Sequence, residues 1–457
     1  MTLTLLIGFS WYVHAFLAGQ PVVTDEYLVK FDRLGGSAML PAENAWPHYE
    51  KAISLFVEAD EVLDGISAFK VRSLARVSES QRRAIVAWIE ANEAAWGHLQ
   101  QASRQRRYHR PLQYDRGRVT VPPLMRIMLP PLAQLRHLTE IAFWKARLAA
   151  DEGCVEASVD HCLVIARVGA HLQTSVRLIE QLMGIAQAGA ARSELLRLMA
   201  RQDLSETALR DLQVQLTALY PDGSPPANFA GERLVLLDAV QHAFTRGGFG
   251  GGHLIPGQYK GVLLATALPE GTRPTMCTHM VLRVVDVALS MFHARRNQTV
   301  AKIHAVYDEI DRRSRLSPYQ RHISGKKDMT DSIDLYRHGF ILMLFPAEYR
   351  VAELAFQLRA DHEATLAVLS LQRYHAETGS FPGDLKRLVE AGYLPAIPMD
   401  PFSDGPLVYK HVAGGFLLYS VSRDFIDGGG MRGVDDDGKP RPWAENGDRV
   451  FWPPAVP

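Results

Sequence analysis

The sequence predicts a mainly α protein: an irregular helical bundle followed by a small α+β module built on an antiparallel sheet. Three observations carry that expectation. From Trp46 to about Tyr220, apolar residues recur at helical spacing. Glycines and short polar turns stop one helical run after another, as antiparallel neighbours require. Near the end, two strand-like runs, Leu407 to His411 and Gly415 to Val421, flank a hairpin signal at His411–Gly415.

The amino terminus comes first. Met1 to Gln20 carries no charge, and Asp25 is the first charged residue. That length of mainly apolar chain suits a helix crossing hydrocarbon, so residues 1–22 are expected to form a transmembrane or signal-anchor helix. A basic region ahead of it, which a secretory signal would carry, is missing. A buried first helix is the alternative reading.

A helical domain is expected over residues 40–345. Pro47 suits a first helical turn, with Tyr49, Ile53, Phe56 and Val57 forming one face. Ser78 to Gln101 reads as one long helix with a capping serine. Residues 108–131, holding five prolines and many basic residues, read as a loop-rich break. Helices follow over Leu132–Ala150, Val155–Gln173, Ser175–Arg201 and Asp203–Tyr220, the last opened by Ser205. Glu232–Phe244 is another, and a second break spans 245–275. Its glycine tract, Arg246 to His253, lacks a following Lys-Ser/Thr and an entering strand, so it reads as a loop and not a phosphate cradle. Helices resume at Thr278–Arg296 and Val300–Arg315, and a last long one runs from Ala347 to Thr378. The small module then occupies 347–430, and 431–457 reads as an irregular tail.

Composition narrows the function classes. The 457 residues are 47% hydrophobic and 22% charged, with 50 basic against 50 acidic side chains, so no overall field favours nucleic acid. The three cysteines exclude a complete disulfide framework and include no CxxC, so all three are expected as buried small apolar residues. No G-x-S-x-G and no H-E-x-x-H occurs, and Asp361-His362-Glu363 lacks a helical partner four residues on. The densest ionisable group on an apolar helix is Glu232, Asp238 and His242. Asp238 and His242 share a face, which reads as a structural ion pair or, alternatively, as part of a hydrolase site.

The carboxyl-terminal order is specific. A helix ends at Tyr374-x4-Gly379-x-Phe381-Pro382, and a short helix stops at Gly392-Tyr393-Leu394. Then come Pro398-x-Asp400-Pro401-Phe402, a strand with Tyr409, a strand ending Tyr419-Ser420, and an Asp/Gly-rich end. This order resembles the globular head of the type II secretion G-type (major) pseudopilin, over the last fifth of the chain. In that family the loop after the last strand binds calcium through carboxylates and main-chain carbonyls. The resemblance therefore implies Asp424 and Asp427 as side-chain ligands, with Ser420 and Ser422 beside them; hard oxygen donors suit Ca²⁺. A solvated acidic turn is the other reading of the same residues. Gly8-Phe9 matches the family's processing site, but the fifth residue from Phe9 is Val13 and not Glu. Assembly into a filament is thus not implied.

These readings give an expectation of a non-enzymatic protein anchored in the inner membrane by its amino-terminal segment, with the body extracytoplasmic and protein partners in a secretion-like envelope system. The alternatives are a hydrolase or other enzyme with its site in the helical domain, and a helical scaffold.

Overall fold

The computed structural model describes residues 14, 16–36, 41–63, 66–69, 71, 73–113, 123–127, 132–257, 276–325, 333–344 and 348–455. The chain is mainly helical, with one small antiparallel sheet near its carboxyl end. Most of the 1–22 span lies outside the described residues. Its described end is packed: Phe16 is buried and stacks on His253 at 4.4 Å, and Pro21 bridges Thr245. Among the described residues, no helix is long and apolar enough to cross a membrane.

Helices α1 (Glu26–Leu34) and α2 (Trp46–Ser54) open the body. The expected single helix from Ser78 is instead two, α3 (Glu79–Ala91) and α4 (Glu93–Ser103). Ser78 caps the first as foreseen, exchanging hydrogen bonds with Gln81. The division falls at Asn92, which is fully buried. Its amide accepts from Val57 N at 2.9 Å and donates to Val57 O and Trp88 O, each at 3.0 Å. Asn92 thus exchanges helical continuity for a bond pair that pins residue 57 against the bundle.

The break after α4 is held down where it is described. Glu180, with no exposed surface, receives Tyr108 OH at 3.1 Å and Ser175 Oγ at 2.5 Å, and pairs with Arg110 Nε at 2.9 Å. Arg177 adds a second guanidinium at 3.8 Å. Burying one carboxylate among two arginines and two hydroxyls satisfies it without water.

Next come α5 (Leu124–Ile127), α6 (Leu132–Asp151), α7 (Val155–Gln173), α8 (Leu178–Arg201) and α9 (Glu206–Thr217). Cys162 is buried on α7, but Cys154 is exposed: it sits at the start of α7, in the turn after Gly153, where the chain has left the core. Helices α7 and α8 cross at glycine. A Cβ on Gly184 would stand 2.6 Å from the carbonyl oxygen of Gly169, and one on Gly169 would stand 2.8 Å from that of Gly184. Only hydrogen fits between the two backbones.

Helix α10 (Ala230–Ala243) leads into the glycine-rich loop 245–257. The loop is ordered against its neighbours. Gly252, at φ +126°, leaves no room for a Cβ beside Thr245 O. Helices α11 (Met276–Phe292) and α12 (Arg296–Ser314) follow, then α13 (Pro318–Ile323) and α14 (Leu335–Leu344).

The long helix α15 (Glu348–Thr378) stops at Gly379, which takes φ +78°. The short α16 (Lys386–Glu390) is followed by the sheet of β1 (Val408–Val412), β2 (Gly415–Ser420) and β3 (Arg449–Trp452) in the order β1-β2-β3. Strands β1 and β2 form the expected hairpin, with Val408 opposite Tyr419 and Val412 opposite Gly415. The 431–457 stretch is not the irregular tail expected. It brings β3 antiparallel to β2, Val450 facing Tyr419, and buries Val450 and Phe451. The run Arg449-Val-Phe-Trp452 is short and bounded by Gly447 and Pro453, so periodicity over four residues carried too little signal.

One core serves both parts. Trp96, Trp144 and Leu163 of the bundle belong to the same buried cluster as Leu388, Phe416, Leu418 and Phe451 of the module, joined through Leu366–Leu371 of α15.

Candidate functional site

Around β2 the turn chemistry converges on Asp400. This buried carboxylate accepts from Phe402 N at 3.0 Å, Ser420 Oγ at 2.8 Å and Val421 N at 3.0 Å. Burial pushes the carboxyl up from its ordinary value, opposed by those three donors; the charge of Asp448 pushes it further. Asp400 therefore ties the Pro398–Phe402 turn to the end of β2, joining two segments singled out in the sequence.

The four residues expected at calcium lie in one loop but do not point to one place. Ser420 Oγ donates to Asp400, and Ser422 Oγ donates to Ala444 O at 3.2 Å; both serines are fully buried. Asp424 Oδ1 accepts from Ile426 N at 3.1 Å. Asp427 Oδ1 accepts from Tyr419 OH at 2.8 Å and Gly429 N at 2.9 Å, and these two donors hold its carboxyl below the ordinary range. The serine hydroxyls are therefore committed inward and do not fit a ligand role, while Asp424 and Asp427 each keep one carboxylate oxygen outside these bonds. Among the described residues, no group of three His, Cys, Asp or Glu side chains is placed to hold a metal ion.

Asp448, which the sequence gave no reason to select, closes the same loop. Its two oxygens accept from Gly428 N at 3.2 Å and Gly430 N at 2.6 Å. Burial pushes this carboxyl up, and the charges of Asp427 and Asp424 add to the push. Negative charge is thus concentrated here, and among the described residues no arginine or lysine is in hydrogen-bond contact with Asp448.

The helical-domain group is structural in its bonding. Glu232 Oε1 accepts from Leu178 N at 3.3 Å, at the start of α8, and burial pushes its carboxyl up. Asp238 accepts from Leu124 N and Gln241 Nε2, both at 2.7 Å, and its Oδ2 lies 3.7 Å from His242 Nε2. Asp238 and His242 meet as the helical spacing foretold, but Asp238 fastens α5 to α10. Arg233 faces away and pairs with Asp308 and Asp311.

A cleft of about 770 Å³ opens between module and bundle. It is lined by residues of the Leu394–Asp404 segment, by Tyr220, Tyr319 and Ile323, and by Phe356, Arg359 and Glu363 of α15. Burial pushes Glu363 up against the charge of Arg359. His362 is held well below its ordinary value by burial and by Arg192, which donates to its Nδ1 at 3.0 Å. The proton of the neutral ring therefore sits on Nε2. Asp361, His362 and Glu363, adjacent in sequence, thus serve three partners: Arg449 with Trp443, Arg192, and the cleft.

The module is bolted to the bundle around this cleft. Tyr319 N donates to Pro401 O at 3.2 Å, His322 stacks on Phe425 at 4.2 Å, and Gln213 Nε2 donates to Tyr393 O at 2.7 Å. Arg423 spans Glu353 of α15 and Glu445, at 2.5 and 2.7 Å. No family model matches the chain, and neither a curated protein nor a solved structure matches it.

Proposed function

We propose that the protein is a membrane-anchored or exported, non-enzymatic component of the cell envelope, in which the helical domain holds a pseudopilin-like module as a fixed binding or assembly element of a secretion-like system. The observation that carries this reading is the sharing of α15. Its Ala360, Ala364, Ala367 and Leu371 are buried in the core common to bundle and module. A pseudopilin head stands on a helix that is free to enter a filament. Here the corresponding helix carries buried residues from Val351 to Leu371, which suits display of the module and not polymerisation.

Two further observations support it. Asp400 bonds Ser420, so residues on which the resemblance rests meet in space. The ionisable groups a helical-domain hydrolase would use are spent on fastening α5 and α8. Calcium at the Asp424–Asp427 loop belongs to the same proposal: a divalent cation there would relieve the repulsion from Asp427 and Asp424 that adds to burial in pushing Asp448 up. The cleft beside the module is the surface offered to a protein partner.

The test is topological. Alkaline phosphatase fused after the full chain should be active in cells, and the protein should fractionate with membranes. Recovery in the soluble cytosolic fraction with an inactive reporter overturns the reading.

A further inference from the structure

Three helix ends meet at a second cavity, inside the bundle and away from the module. Arg147 and Asp151 come from the end of α6, Ser158 from the first turn of α7, and Glu194, Arg197 and Arg201 from the last turns of α8. All six line one space of about 490 Å³, together with residues 73–75. Spacings of three and seven put Glu194, Arg197 and Arg201 on one face of α8.

The charges around this space do not cancel. Glu194 Oε1 accepts from Arg147 Nε at 3.2 Å, and its Oε2 accepts from Arg147 Nη2 at 2.9 Å and Arg197 Nη2 at 2.6 Å. Burial opposes charge on Glu194, but the two guanidiniums outweigh it and hold the carboxyl below its ordinary value. One negative charge therefore serves two cations whose side chains are only 6% and 12% exposed. The other carboxylate, Asp151, is taken by Arg82 at 2.7 Å. Arg201 is exposed and makes no ion pair or hydrogen bond with any described residue. Counting Arg82, four arginines stand against two carboxylates, Asp151 and Glu194, which leaves two positive charges over.

Donors are left over as well. Arg197 gives one N–H to Glu194, and its Nη1 meets no described partner. Ser158 is buried, yet its hydroxyl bonds to no described residue. Arg147 is fixed from its far side, where Nη1 donates to Val71 O at 2.6 Å. The end of α6 is met separately, by Gln202 Nε2 on Ala150 O at 2.7 Å.

We propose that this cavity binds a small phosphomonoester, holding its phosphate with Arg197, Arg201 and Ser158. A phosphate near neutral pH carries close to two negative charges and three acceptor oxygens, which answers the surplus of charge and of donors. Glu194 keeps Arg147 and Arg197 in place before the ligand arrives, so little ordering remains to oppose binding. A bare phosphate would leave much of the space empty, so the ligand carries an organic portion. The site belongs to the bundle and stands or falls apart from the membrane reading given above.

The experiment is calorimetric titration of the full chain with glycerol 3-phosphate, and with glycerol and succinate as controls. Glycerol 3-phosphate should bind with a dissociation constant of roughly 1 mM or tighter, and glycerol should not bind. Arg201→Gln, a change at an exposed position, should keep the melting temperature and weaken binding at least about tenfold. Ser158→Ala should weaken it a few-fold. Arg210→Gln, which removes an exposed arginine of α9 from its pair with Glu206, should bind as the wild type does. Displacement of glycerol 3-phosphate by phosphatidic acid vesicles would put the phosphate on a lipid headgroup, and its absence on a soluble ester; either upholds the site. No binding of glycerol 3-phosphate, binding unchanged in Arg201→Gln, or equal weakening by Arg201→Gln and Arg210→Gln overturns the proposal. Succinate binding as tightly as glycerol 3-phosphate overturns the assignment to phosphate.

Discussion

Asp361, midway along α15, and Arg449, the first residue of β3, meet across 88 residues of sequence, with Arg449 Nη2 2.8 Å and Nε 3.2 Å from Asp361 Oδ1. Trp443 Nε1 donates to the other oxygen at 3.3 Å. The pair fastens the last strand to the helix that the bundle and module share.

Replacing Arg449 with Ala should leave Asp361 buried without its partner and cost about 3 kcal/mol, the scale for breaking a buried pair from one side. Urea unfolding followed by tryptophan fluorescence checks this. Arg449→Lys should recover only part of the loss, because a single ammonium cannot make both contacts. An unchanged midpoint for Arg449→Ala would show the pair to be incidental.

Gly184→Val should destabilise the chain by about 1–3 kcal/mol through overpacking, since a side chain would meet the Gly169 carbonyl. Gly97, beside which a Cβ meets nothing within 4 Å, serves as the control. Gly97→Ala should be neutral or mildly stabilising, and chemical denaturation of both variants separates packing from helix propensity.

Acid should weaken the helical domain through His171. Its ring accepts from Tyr49 OH at 2.9 Å and its Nε2 donates to Gln105 O at 2.9 Å, and burial lowers its pKa to about 4. The unfolded chain binds that proton near pH 6.5 and the folded one does not, so stability is full above pH 6.5 and declines as pH falls towards 4. At pH 5 the loss is about 2 kcal/mol from this residue. His171→Gln should flatten the decline in a pH series of unfolding midpoints, at some cost to stability at pH 7.

Calcium should raise the melting temperature of the wild type, and Asp424→Ala with Asp427→Ala should abolish that rise. A wild type indifferent to both calcium and chelator would remove the ion from the proposed function. Since Asp427 also receives Tyr419 OH, the variant's melting temperature without calcium is the baseline for the comparison.

Removing residues 431–457 should unmake the module and not merely trim it, because β3 and the Asp448 contacts go together. Limited proteolysis should then cut within 400–430, where the full chain resists.

The helical body was legible because its residues obey local rules. Ser78 and Ser205 cap where capping residues should, and Gly379 and Gly392 end helices by taking positive φ. The β1–β2 hairpin followed from alternation and glycine. What escaped was decided at long range. Nothing around Asn92 announces a helix break; the reason is Val57, which needs its amide. Cys154 sits just past a turn, and composition alone cannot distinguish that position from the core. The serines near the acidic loop look like ligands by type, yet Asp400, some twenty positions earlier, takes one of them. Asp448 could have been suspected only by anticipating β3, since its value lies in facing Gly428 and Gly430 across the sheet's edge.

Helix α15 is a rod of about 46 Å at 1.5 Å per residue, gripped by module and bundle in turn along its length: Arg423 at Glu353, Arg449 at Asp361, Arg192 at His362 and Gln213 at Ser370. Neither grip can shift without the other registering it, so a load on the module at its far tip would reach the bundle as axial displacement of a stiff strut. The same sharing orders events during synthesis: the module emerges after the bundle helices and completes its interior only on a surface they have already assembled.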